Sequence, residues 1–416
     1  MYIQSLSIRN FRSFEHMQIN DMKPVTLLFG HNGTGKSSIL AAIDVIFRPK
    51  YSSEGEGSPN VKTAFYIGII QDFQHNYYCN KACVVPFEIT IKTTKAELQK
   101  IWPDGFRERL NIIPSNTPES RVRITLIGRF QPVERLPGTA EIVLEQARVI
   151  GTVLYQFNPS VDDRWLPGLK ASYTLPDREK IGERLLNNLT NIYSNIGVAR
   201  SLRNEKVADA QTHGELKTHI SSFQSRLHQI KHSELQSSQN KFRTIREQFN
   251  KIAGWGEIDF AEVERETREL EVMTWDENGL WLPVVQRGAG AEQLLVIISE
   301  VVLRGSFIIG IEEMESNLDE DTQKKLYDLL ELLVGTPDSG VGQIIATAHS
   351  YFYGHELLST EKWIVKKDGR SSTIEPWSNA AAQSLFQPSS YRTERQIRQD
   401  AKTMAKKQAK RNQSKS

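Results

Sequence analysis

Cysteine is nearly missing. Cys79 and Cys83 are the two in 416 residues, which excludes a disulfide framework and suits a reducing, cytoplasmic setting. His75, Cys79 and Cys83 recur every four residues, a spacing that can align ligands on one helix face. A structural zinc site needs a fourth ligand and commonly uses closer cysteines. Long apolar runs are absent too. None approaches the ~20 residues of a membrane-spanning helix, and the opening "MYIQSLSIRNFRSF" has no apolar core of signal-peptide length. Net charge is small, +2 from 52 basic and 50 acidic residues, which argues against a whole-molecule nucleic-acid binder. The balance is uneven, however. Between Tyr391 and Ser416 nine Lys/Arg face only Glu394 and Asp400, so that stretch carries +7 and the rest sums to −5. A basic tail on an acidic body points to an anionic partner, nucleic acid included, or to a solvated terminus.

What is present is an ordinary globular composition, 39% hydrophobic and 25% charged, with length for two or three compact units. "YIQSLSI" alternates like a strand, and "VTLLFG" reads as a short buried strand ending in glycine. "KSSILAAIDVIF" puts Leu40, Ile43 and Phe47 on one helical face. The order is therefore strand, Gly-rich turn, helix. "YSSEGEGSPN" is loop by composition. The runs "AFYIGII", "CVVPFEITI", "RVRITLIGRF" and "EIVLEQARVIGTVLYQF" then read as an antiparallel sheet beside that core.

From Pro176 the pattern turns helical. Leu216, Ile220, Phe223, Leu227 and Ile230 form one stripe, and Phe242, Ile245, Phe249 and Ile252 a second, out of phase with the first. Two amphipathic helices are expected, packed on the globular body or contacting a partner. "FIIGIEEMESNLDE", the helix "DTQKKLYDLLELLV" and the strand "QIIATAHS" follow. Strand, helix, strand favours a parallel sheet.

"GHNGTGKS" (Gly30 to Ser37) fits G-x-x-x-x-G-K-[ST] between its strand and helix. Glycines let backbone wrap phosphate oxygens, and the helix N-terminus adds positive potential. Gly30, Asn32, Gly33, Gly35, Lys36, Ser37 and Ser38 are the candidate nucleotide ligands. Lys36 can reach the β/γ-phosphates, and Ser37 can offer its hydroxyl to Mg²⁺. Glu312 and Glu313 follow the apolar run "FIIGI", at a strand end of the kind that lines ligand crevices. One carboxylate there can hold Mg²⁺ and the other can orient or deprotonate water. His349 closes "IIATAHS" and can hydrogen-bond a γ-phosphate or the attacking water.

"VVQRGAGAEQLL" (Val284 to Leu295) also looks like a phosphate loop opening a helix, but it holds no lysine. In this order the motifs resemble the ABC-type ATPase heads of the RecF/SMC class, nearest to the OLD-like ATPases. "IRNFRSF" resembles the family's N-terminal strand and loop, "GHNGTGKS" its Walker A, "GAGAEQ" its signature, "FIIGIEE" its Walker B, "SNLD" its D-loop and His349 its switch histidine. The motifs cover residues 1–50 and 280–350.

The resemblance implies an α/β fold: a parallel core sheet with helices, an antiparallel β-lobe and a short helical insertion. Motifs and residue patterns together give the expected units 1–175 (Walker A and β-lobe), 176–275 (helical insertion, outside the motifs), 276–390 (signature, Walker B, D-loop and His349) and 391–416 (basic, disordered tail, also outside them). It implies ATP and Mg²⁺ as cofactors and head-to-tail homo-oligomers, each ATP lying between Walker A of one head and the signature of another. Lys36, Glu313 and His349 would act catalytically in cis, with Ser37 and Glu312 on the metal. Gly288 and Gly290 would act in trans. Arg12, Asn32 and Asp319 would line the same pocket. A Q-loop glutamine is expected on the metal too, Gln71 or else Gln131. Two departures stand out. Gly288 or Ala289 replaces the signature serine, leaving backbone N–H groups and Arg287, and Glu312 replaces the Walker B aspartate. Both point to slow turnover. Sixty-seven residues follow His349, too few for the Toprim nuclease of OLD-like proteins. The expected role is therefore an ATP-dependent sensor or scaffold that controls a separate nuclease or toxin in anti-phage defence. The alternative is a RecF-like repair ATPase clamping DNA.

Overall fold

The computed structural model describes residues 1–47, 66–70, 78, 83–94, 96–97, 122–132, 140–149, 152–156, 192–196, 227–254, 256–264, 269–275, 279–304, 307–336, 339–349, 362–378 and 381. The chain opens with an antiparallel pair, β1 (Tyr2–Phe11) and β2 (Phe14–Ile19), then enters β3 (Val25–Phe29) and helix α1 (Lys36–Phe47). β4 (Tyr66–Ile70), β5 (Val85–Thr93), β6 (Val122–Pro132), β7 (Ala140–Val149) and β8 (Thr152–Gln156) join the first pair in an antiparallel lobe. Its strand order is β2-β1-β5-β6-β7-β4, with β8 beside β7. β5 alternates buried and exposed or half-buried positions throughout, as expected of a sheet with one face on a core.

β9 (Tyr193–Ile196) precedes α2 (Gln236–Ala253), β10 (Glu257–Glu264), β11 (Glu269–Trp275) and β12 (Trp281–Pro283). The short helix α3 (Val284–Arg287) leads through Gly288 into α4 (Ala289–Arg304). β13 (Ile308–Ile311), α5 (Glu320–Gly335), β14 (Gln343–Ala348), β15 (Lys362–Asp368) and β16 (Ser371–Pro376) complete the order.

The central sheet runs β16-β15-β3-β14-β13-β9 and is parallel except for the β15–β16 pair. Its inner strands are apolar nearly throughout because both faces are covered. Leu28, Ile308 and Ile345 join the core shared with α1 and the lobe. Their neighbours Leu27, Phe29, Ile309, Ile311, Ile344 and Ala346 face the opposite core, with α2, α4 and α5. This period-two division puts the two cores on opposite faces of one sheet. Gln343 staples the lobe to that sheet. Its buried amide donates to Ile3 O (3.0 Å) and Lys23 O (3.0 Å) and accepts from Ile3 N (2.8 Å).

The α/β class expected from the sequence is the one observed. Phe242, Ile245, Phe249 and Ile252 are all buried on α2, each worth about 1.5–3 kcal/mol of apolar burial. That stripe packs on the body. Segment 176–275, read as helical, is mixed: it also supplies β9 to the central sheet and pairs β10 with β11. β9 is four residues long, too short for a period to register. Leu216, Ile220, Phe223, His75, Cys79, the loop 51–60 and the tail 391–416 lie outside the described residues. Among the described residues no helix is long and apolar enough to cross a membrane.

Candidate nucleotide-binding site

β3 delivers the chain to Gly30, and α1 begins at Lys36. Between them the backbone turns at Gly33 and Gly35 (φ +74° and +107°). Gly35 is required twice over. Its φ suits glycine, and a Cβ there would lie 2.9 Å from Ser13 Oγ and 3.0 Å from both Phe14 Cε2 and Ser372 Oγ. The turn is thus held by the β1–β2 connection and by β16. Ser372 Oγ donates to Ser13 Oγ (2.7 Å), and Ser372 N to Ser13 O (2.7 Å). Thr34 closes the loop on itself, its hydroxyl donating to His31 O at 2.9 Å.

Lys36 is only 5% exposed. Its Nζ donates to Gly30 O (2.7 Å) and His31 O (2.9 Å) and stands 3.1 Å from His349 Nδ1. His349 follows β14, the strand beside β3, so sheet order explains why residues 313 apart in sequence meet. Burial lowers the Lys36 ammonium to about 8, against the pull of Glu315 and Glu313, which favour its charge. His349 Nδ1 also lies 3.0 Å from Gly30 O, and its Nε2 faces Glu313 Oε1 at 3.6 Å.

β13 ends at Ile311, and the next turn bears the carboxylates. Glu313 has φ +45°, rare for a residue with a side chain and costing about 1–3 kcal/mol. Neighbours hold it there. Its N–H donates to Thr347 Oγ1 (2.8 Å), and its carbonyl accepts from Gln293 Nε2 (3.0 Å) and Ser316 N (2.9 Å). Its carboxylate accepts from Ser316 Oγ at 3.1 Å. Glu315 accepts from the backbone N–H of His349. Glu312 lies instead by Arg12. Burial lowers that guanidinium from its usual range, and Glu312 opposes the shift. Arg12 has φ +51° and lies 5.6 Å from the centroid of the Phe11 ring.

Lys36, His349 and Glu313 thus form one cluster. Gly290 and Asp319 belong to an adjoining one. A Cβ on Gly290 would sit 2.4 Å from Asn317 O, so glycine is needed for the α4 end to meet that loop. Asp319 caps α5, accepting from Thr322 N (3.0 Å) and Thr322 Oγ1 (2.7 Å), which holds its carboxyl below the usual range. Gly288 links α3 to α4. Beside it Arg287 Nε donates to Thr274 Oγ1 (2.9 Å), whose own hydroxyl donates to Leu282 O (3.0 Å). Asn32 and Ser37 are exposed and Ser38 half-buried, and Ser38 N donates to Gly35 O at 3.0 Å. Gln131 stands in β6 opposite Glu141, and Gln71 lies outside the described residues.

Sequence reasoning missed Glu315, Thr347 and Gln293. Thr347 and Gln293 are polar residues inside apolar runs, "IIATAH" and "AEQLLVII", and a buried polar side chain normally has a hydrogen-bonding task. Glu315 was readable only as a further acid of "EEMES".

The site fits a Mg²⁺-nucleotide. The turn admits no side chain at Gly35, a buried ammonium closes it, and Ser37 stands exposed in the first turn of α1. Among the described residues no three His, Cys, Asp or Glu group as a metal cage. Mg²⁺ does not need one, because it keeps waters and binds through one or two carboxylates plus phosphates.

Residues 1–122 match the family model described as AAA ATPase domain. The DNA replication and repair protein RecF of Picosynechococcus sp. is 39% identical over 112 residues, 27% of this chain and 28% of RecF. RecF of Roseiflexus castenholzii is 46% identical over 43 residues, 10% of this chain and 11% of RecF. The chain therefore spans little more than a quarter of the first relative's length and about a tenth of the second's. The SMC head domain from Thermotoga maritima superposes with a TM-score of 0.45 at 14% identity, covering 91% of this chain and all of that one.

Residues 1–122, which carry the Gly30–Ser37 loop, are thus similar to an AAA ATPase domain, and 112 residues of the chain are similar to RecF. The loop between β3 and α1 and the parallel order of the central sheet are those of a P-loop nucleotide-binding fold.

Proposed function

We propose that this chain binds ATP with Mg²⁺ at Gly30–Ser38 and hydrolyses it slowly within a head-to-tail pair of heads. The observation that carries this reading is the Lys36–His349–Glu313 cluster. There a buried ammonium, an imidazole and a backbone-strained carboxylate meet at the ends of β3, β13 and β14. The bound metal would supply charge neutralisation at the phosphates, and Ser37 and Glu312 are the residues to hold it. Lys36 leaves the Gly30 and His31 carbonyls for the phosphates. Glu313 orients or deprotonates water, and His349 passes a hydrogen bond between that carboxylate and the phosphate end. The Gly288 loop and the α4 N-terminus face the neighbour's nucleotide, and Arg287, clamped by Thr274, stands in for the absent signature hydroxyl. Arg12 and Asp319 flank the pocket.

The output we propose is control of a separate nuclease or toxin in anti-phage defence, the role implied by the OLD-like order of motifs. A RecF-like DNA clamp is the second reading, favoured by the RecF likeness over 112 residues. Duplex-DNA binding by the ATP-loaded protein separates them. A clamp binds DNA with ATP, and its affinity falls steeply with salt because counterions are released. A defence switch needs no such ATP-dependent clamp, and a host carrying the locus loses phage protection when Lys36 or Glu313 is replaced. ATP-dependent DNA binding together with unaltered protection in those variants would reject the defence role.

A further inference from the structure

Helix α4, which begins at the Gly288 loop, is tied directly to the backbone of Glu313 in its own head. Gln293, 3% exposed, lies near the start of α4 and spends both ends of its amide on the loop after β13. Nε2 donates to Glu313 O at 3.0 Å, and Oε1 accepts from Asn317 Nδ2 at 3.3 Å. One turn earlier, Gly290 approaches Asn317 O so closely that a Cβ would be 2.4 Å from it. The two residues gripped are the two of this loop with left-handed backbone, Glu313 at φ +45° and Asn317 at φ +61°. Such conformations persist only where surroundings over-determine them. The N-terminal turn of α4 is one of those surroundings, so a shift of α4 changes what holds Glu313.

We propose that Gln293 is a positioning residue that couples the two nucleotide sites of a paired ATPase. α4 begins at the signature loop, which meets the neighbour's nucleotide, and Gln293 carries its position to the Glu313 that serves this head's own nucleotide. This rests on the head-to-tail reading above. Capture of ATP at one site then sets the carboxylate at the other, and the two-fold symmetry of a pair of identical heads makes the effect mutual. Hydrolysis is cooperative in ATP as a result.

Gln293→Leu keeps size and removes both hydrogen bonds, while Ser316 N still serves the Glu313 carbonyl. Asn317→Gly removes the other partner and keeps the left-handed backbone, and is the second variant if the first does not fold. The full chain would be assayed for ATP affinity, ATP-dependent association and steady-state hydrolysis. Either variant should bind ATP within about twofold of wild type and still associate. kcat should fall at least about tenfold, with the Hill coefficient dropping to 1. Unchanged kcat and Hill coefficient would overturn the coupling, as would a fall in kcat matched by equal losses of affinity and association. Glu313→Gln separates the two failures. If it neither stops hydrolysis nor traps ATP-dependent pairs, the paired-head reading itself is wrong. If it does both while Gln293→Leu behaves as wild type, only the coupling is lost.

Discussion

Lys36 Nζ stands 3.1 Å from His349 Nδ1, with both groups also against the carbonyl oxygen of Gly30. The ammonium is thus parked on backbone carbonyls that, under the proposed function, it would leave for phosphate. Burial lowers its pKa to about 8 from 10.5, and a bound triphosphate raises it again. ATP binding should therefore take up a proton above pH 8. Affinity is full below about pH 8 and falls as pH rises past it. Calorimetry in buffers of different ionisation enthalpy reads the proton directly. Lys36→Ala should lose at least about a hundredfold in affinity, in keeping with charge-assisted phosphate bonds, and should flatten the pH dependence.

Arg287 is held by Thr274 at 2.9 Å beside Gly288. Arg287→Ala should leave ATP affinity of the single head unchanged, because the proposed function places that affinity in Gly30–Ser38. It should weaken ATP-dependent association by about tenfold, one charge-assisted hydrogen bond's worth. Thr274→Val should give part of the same loss. Sedimentation velocity with ATP and with ADP measures both.

Gly290→Ala would drive a Cβ to 2.4 Å from the Asn317 carbonyl oxygen. Backbone, not a flexible side chain, must give way, so a cost of about 1–3 kcal/mol is expected. The variant should melt several degrees lower and should disturb Glu313, lowering kcat as well. Thermal denaturation and hydrolysis assays check the pair.

Asp319→Ala removes the cap of α5 and its two bonds to Thr322. The expected loss is about 0.5–2 kcal/mol. Because the folded carboxyl titrates below its ordinary value, its contribution is present above the unfolded pKa and lost as pH falls through the folded one. Denaturant melts of wild type and variant should therefore converge at low pH.

Much of this was legible in the sequence, for physical reasons. β3 and β14 are buried on both faces, so they read as continuous apolar runs, and the P-loop between β3 and α1 demands residue types that few other turns use. β10 and β11 were hidden. Their alternation, Ile258 and Phe260 against Leu270 and Val272, is broken up by acidic residues and follows a strong helical stripe. Gln293 and Thr347 were hidden because hydrogen-bond partners 20 and 34 residues away, at Glu313, leave no local pattern.

Glu313→Gln tests the central claim most directly. The amide keeps the side chain's shape and removes the base, so hydrolysis should fall about 10²–10⁴-fold. Mass measured with and without ATP should then show pairs that persist with ATP and dissolve with ADP. A variant that still hydrolyses ATP at the wild-type rate, or whose mass is the same with ATP as without it, would contradict the account.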